Sequence, residues 1–204
     1  MTSQRTAPDG KLLPFKRVQG SVAELSDRAL VSAVAQGDPA ALGALFDRFQ
    51  RDVHRFVARL VRDNDNDLDD LVQTTFLQAY RSAPRFRSES AVKTWLFGIA
   101  ANLVRHHTRS EIRRRAAASN LTAVPDSPLV TPGDAITIEQ QRRMIAVAVE
   151  RLSPALKEVY VLCVVEELPG KDAAAALGIR EASLWRRLTD ARAALRVTIE
   201  ELQR

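Results

Sequence analysis

The 204-residue chain holds one cysteine, three histidines and no apolar run longer than residues 159–165. Each scarcity excludes something. A lone Cys163 cannot form an internal disulfide and has no second thiol with which to share a metal, which points to a reducing cytoplasm and to a core thiol. Seven apolar residues in a row are far short of the roughly 20 that a membrane-spanning helix needs, so membrane insertion is not expected. The first thirty residues scatter Arg5, Asp9, Lys11, Lys16 and Arg17 among single apolar positions, with no apolar block and no small-residue cleavage site to direct secretion. Glycine-rich phosphate loops and serine motifs opening a helix are also missing, and the chain does not read as an enzyme.

What is present is basic. Thirty Lys and Arg against twenty-five Asp and Glu give a net charge of +5, and most of the excess is arginine. Net charge alone is a weak pointer to nucleic acid, so the placement of the charge decides.

Two segments read as boundaries. Residues 1–24 mix Pro8, Gly10, Pro14 and Gly20 with charge and show no period, as expected of a flexible leader. Residues 116–137 carry Pro125, Pro128, Pro132 and Gly133 among Ser, Thr and Asp, as expected of a linker. This divides the chain into 25–115 and 138–204, and both parts have helical periodicity. Leu42, Leu45, Phe46, Phe49, Val53, Phe56, Val57 and Leu60 form one face of a long helix. Leu68, Leu71, Val72, Thr75, Phe76, Ala79 and Tyr80 form a second, with Asp67 as its cap. A third runs from about Ser90 through Trp95, Leu96 and Ile99 to Val104. In the second part, Ile138, Ile145, Ala148, Val149 and Leu152 share a face. Ser153-Pro154 then restarts the helix, and two more follow over about 171–177 and 181–195. The expected fold is all-α, two small helical domains joined by a flexible linker.

Four stretches carry chemistry. The run 171–179, KDAAAALGI, has small alanines for close helix approach, Gly178 for a left-handed turn and Ile179 to plug the corner: a helix-turn-helix. In the next helix Leu184, Leu188, Ala191 and Leu195 face inward. Ser183, Trp185, Arg186, Arg187 and Arg192 are left to meet a major groove. A solvated basic hairpin is the plainer alternative. The run 102–115, NLVRHHTRSEIRRR, has five arginines and one glutamate, 5 − 1 = +4, a density that suits an anion. His106 and His107 are adjacent, point about 100° apart on a helix and make a poor chelating pair. Upstream, Phe86 and Trp95 flank a polar loop with arginines, the materials for stacking unpaired bases, although both rings also suit a core. The acidic run 63–70 fails as a calcium loop, since its sixth position is Leu68 and its twelfth is Thr74. No metal and no cofactor are expected.

The runs DLDDLVQTTFLQAY (67–80), Phe86-Arg87 and TWLFGIAAN (94–102) resemble region two of the sigma-70 superfamily, in its extracytoplasmic-function (group IV) branch. The helix-turn-helix resembles region four, and the proline-containing tether stands where region three is missing. The resemblance implies a promoter-specificity subunit of bacterial RNA polymerase. It implies that Asp69, Asp70, Gln73 and Phe76 dock on the clamp of the largest polymerase subunit, and that region four contacts the flap of the second-largest. Phe86, Arg87 and Ser88 would belong to the loop capturing a flipped base of the minus-ten element, with Trp95 as wedge or support. Asn102 would contact a base, and Arg105, Arg109 and Arg113 would hold the backbone. Ser183, Trp185, Arg186, Arg187 and Arg192 fall on the minus-thirty-five element, and an anti-sigma partner is expected. The chain departs from the family pattern at 183–187, SLWRR, where Trp185 takes a basic position, at Asp190, and at Pro169-Gly170, where the family usually has Ser-Tyr. A stand-alone helix-turn-helix regulator and a helical adaptor binding proteins only are the other readings.

Overall fold

The computed structural model describes residues 22–61, 67–117 and 138–203. Most of the leader, nearly all of the linker and half of the acidic run lie outside the described residues. Among those described, every regular element is a helix: α1 Asp27–Ala35, α2 Pro39–Leu60, α3 Leu68–Ser82, α4 Val92–Ala117, α5 Ile138–Glu150, α6 Pro154–Tyr160, α7 Gly170–Leu177 and α8 Glu181–Leu202.

The local signals account for most of the boundaries. Asp38 caps α2 by accepting from the Ala40 and Ala41 amides, 2.8 and 3.3 Å, and Pro39 opens the helix where its missing N–H costs nothing. Gly178 ends α7 with φ +64°, ψ 34°, the left-handed turn expected of it. Asp67 and Ser153 stand at N-cap positions, yet neither side chain makes a capping hydrogen bond. The nine-residue α1 had no expected counterpart; it buries Leu30, Val31, Ala33 and Val34. The apolar face read for α5 holds at Ala148, Val149 and Leu152 and is corrected at its start: Ile138 and Ile145 are exposed, and Met144, four residues before Ala148, turns inward in their place. The stretch after α6 continues as a π-helical turn over Val161–Val165.

Helices α1–α4 form one bundle. Phe46 meets Phe76 edge-to-face at 4.9 Å, and Phe56 stacks on Phe97 at 4.3 Å. Helices α5–α8 form the second unit, with Ala148, Leu152, Ala191 and Leu195 as a satellite core. The main core runs through both: Leu96, Phe97 and Val104 of the first unit are in one cluster with Val159, Leu162, Ala173, Leu177 and Leu188 of the second. Packing of α4 on α7 makes this contact. It needs a glycine, because a Cβ on Gly98 would sit 2.9 Å from the Ala176 carbonyl oxygen. Charge lines the same seam. Arg59 and Lys93 both reach Glu166, at 2.6 and 3.4 Å, and Arg105 forms a two-pronged pair with Glu158, at 3.0 and 3.3 Å.

Candidate nucleic-acid interface

Three surfaces carry the residues singled out above. The first is the outer face of α3, where spacing of three and four leaves Asp70, Gln73, Thr74 and Leu77 together and exposed. Asp69 stands beside them with its side chain 85% exposed, 3.7 Å from His54. Phe76 is not on this face. It is 4% exposed, and its ring holds α3 against Phe46 of α2, so it is unavailable for docking. The apolar residue that does face outward is Leu77, 56% exposed. Sequence reasoning missed it because one step along the same apolar run separates the inward ring from the outward leucine.

The second surface joins the loop before α4 to the outer side of α4. Phe86 and Trp95 pack at 4.8 Å with planes tilted by 39°, and both remain partly exposed. With Arg85, Arg87, Glu89 and Ser90 they line a cavity of about 220 Å³. Ser88 turns the loop with φ +56°, an unusual conformation for a residue with a Cβ. Its carbonyl accepts from Arg28 of α1 at 3.2 Å, which ties the turn to the bundle. Along α4, Asn102, Arg109 and Arg113 are exposed. Arg105 differs: Glu158, itself buried, occupies its guanidinium, so in this arrangement it presents no cation to a phosphate.

The third surface is α8. Leu184, Leu188, Ala191 and Leu195 are buried as expected. The five candidate residues do not share one face, because roughly 100° per residue puts Trp185 and Arg192 on one flank, Ser183 and Arg187 on the other, and Arg186 outermost. Arg192 lines a cleft of about 430 Å³ with Ile145, Tyr160 and Val164, away from the first turns of α8. Its charge also lies near Cys163, whose thiol is pushed up by burial and pulled partly back by Arg192. Trp185 donates from Nε1 to Glu181 at 3.2 Å, and its ring lies over Gly170, where an added Cβ would come within about 2.4 Å of it. Two of the three departures from the family pattern therefore meet: the ring at 185 occupies the space that a side chain at 170 would take.

Two family models match in chain order: "Sigma-70 region 2" over residues 45–114 and "Sigma-70, region 4" over residues 142–195. The chain belongs to the sigma-70 family. Its similarities fall in the extracytoplasmic-function branch. It is 43% identical to the ECF RNA polymerase sigma-E factor of Haemophilus influenzae over 91 residues, 45% of this chain and about half, 47%, of that one. It is 28% identical to the sigma-E factor of Escherichia coli strain K12 over 190 residues, 89% of this chain and 98% of that one. Among solved structures, CnrH in complex with the cytosolic domain of CnrY aligns at a TM-score of 0.61 and 27% identity, over 86% of this chain and 97% of that one. The sigma factor RpoE of Bartonella quintana, solved in complex with the anti-sigma factor NepR, shares the fold at a TM-score of 0.59 and 23% identity, over 76% and 94%. The chain is a promoter-specificity subunit acting in transcription initiation, and a stand-alone regulator is not favoured. Sigma factors are regulators without enzymatic chemistry of their own. Among the described residues no helix is long and apolar enough to cross a membrane.

Proposed function

We propose that residues 25–115 bind the polymerase core and open the minus-ten element, and that residues 138–204 read the minus-thirty-five element from the cytoplasmic holoenzyme. The observation that carries this reading is the second surface. An aromatic-lined cavity beside a strained, tethered turn opens next to an exposed amide and two exposed cations on one helix, Asn102, Arg109 and Arg113. A flipped base needs a polar pocket with a stacking wall, and the displaced strand needs cations beside it. Phe86, Arg87 and Trp95 line the pocket, Ser88 turns the loop beside it, and Asn102 supplies a base contact. Arg109 and Arg113 hold the backbone. Arg105 joins them once Glu158 releases it.

The polymerase clamp docks on Asp69, Asp70 and Gln73, with Leu77 in the anchoring role assigned from sequence to Phe76. The second unit meets the flap of the second-largest subunit and brings Arg186, Trp185, Arg187 and Ser183 to duplex DNA, with Arg192 outside the groove set. An anti-sigma protein is the expected inhibitor, in keeping with the partner-bound structure of CnrH. The chain itself needs no cofactor and catalyses no reaction.

Co-elution with sigma-free core polymerase, followed by run-off transcription on a promoter library, tests the assignment. Asn102→Ala lowers opening at particular promoters by about 1–3 kcal/mol, the value of one good base contact, and leaves core binding unchanged. Asp70→Ala combined with Leu77→Ala weakens core binding, and so transcription, at every promoter. An identical promoter-dependent defect in both variants disproves the division of roles.

A further inference from the structure

His107 faces neither the cavity nor the seam. It lies one helical turn before Glu111 on α4, so both side chains leave the same face of the helix. Asp67 approaches from the start of α3. Its carboxylate does not cap that helix; its Oδ2 lies 3.6 Å from His107 Nδ1. One donor atom from each of the three residues lies within 4.8 Å of the others. The imidazole is the most sheltered of the three, with 13% of its side chain exposed against 27% for Glu111 and 50% for Asp67.

We propose that Asp67, His107 and Glu111 form a binding site for a divalent transition-metal ion, with water completing its coordination. Donor chemistry selects the class. Imidazole suits zinc and its neighbours, while magnesium and calcium favour all-oxygen sets. Geometry supports it, because donors about 2.0–2.2 Å from a common ion lie roughly 3–4 Å from one another, a contraction within reach of small side-chain rotations. Two carboxylates beside one imidazole also combine hard oxygen and borderline nitrogen donors, the mixed set such an ion accepts. Glu111 also pairs with Arg114, a neighbour on α4 whose side chain is 65% exposed and can turn into solvent when an ion takes the carboxylate. An ion held here ties the first turn of α3, which bears the exposed Asp69 and Asp70, to α4. The sequence pattern hid the site, since His107 meets a carboxylate one turn on and another from a different helix, and not His106.

The test is calorimetric titration of the untagged, metal-stripped full-length chain with Zn²⁺, alongside Co²⁺ absorption as a geometric readout. One saturable site is expected, weakened at least tenfold by His107→Gln and by Glu111→Gln and unchanged in His106→Gln. Circular dichroism of each variant confirms folding, and Glu111→Gln, at a partly exposed surface position, guards against a fold defect in the histidine variant. Failure to see a saturable site, binding that survives both substitutions, or equal loss in His106→Gln overturns the proposal.

Discussion

Arg105 and Glu158 show how one residue can have two claims on it. The guanidinium side chain is 27% exposed and the carboxylate it holds is 5% exposed, so the pair sits in a medium where an unpaired charge is costly. Arg105→Ala is expected to destabilise the fold by about 2–3 kcal/mol, because it strands a buried carboxylate. Arg105→Ala with Glu158→Gln recovers much of that loss. A urea-melt double-mutant cycle measures the coupling, and independent, additive effects would remove the pair from the account. Residue identity marked the arginines as candidate DNA ligands. It could not show which of them another part of the chain would occupy, since the partner is 53 residues away.

Helices were the most legible level, and their termini show why. Gly178, read from the sequence, acts through its own backbone neighbours, so local chemistry sufficed to place it; Asp38-Pro39 acts in the same local way but was not singled out, and the caps that were, Asp67 and Ser153, make no capping bond. On α5 the inward face was read correctly at Ala148, Val149 and Leu152 but wrongly at Ile138 and Ile145, which look apolar in any one-dimensional pattern, because only α8 determines which side of α5 is covered. Two glycines separate the local from the tertiary contribution. Gly43 lies within α2, where an added Cβ would meet nothing within 4 Å, whereas Gly98 lies within α4 against the Ala176 backbone. Gly43→Ala is expected to raise stability by about 0.5–1 kcal/mol, the usual helix gain. Gly98→Ala forces α4 and α7 apart and is expected to cost about 1–3 kcal/mol. Thermal unfolding of the two variants reads the difference, and equal shifts would mean that the α4–α7 approach is not close in solution.

For the whole molecule the question is what holds the two units together. The seam combines apolar contact between α4 and α7 with charges that Glu158 and Glu166 collect from Arg59, Lys93 and Arg105. Glu158→Gln with Glu166→Gln is expected to enlarge the radius of gyration in small-angle scattering, more so at low salt, where the parent's pairs are strongest. An unchanged radius would show that apolar packing alone closes the seam. Composition and periodicity by themselves determined that the chain is helical, that it has two helical parts, and that a helix-turn-helix and an aromatic, arginine-bearing loop are its candidate binding surfaces. These depend on spacings of one to seven residues, which a linear pattern records. Tertiary structure alone decided that Phe76 is core and Leu77 is surface, that Arg105 is held, that Trp185 fills the space left by Gly170, and that Asp67 meets His107 and Glu111. Each of these depends on which helix lies across from which, and that is settled by burial over the whole core.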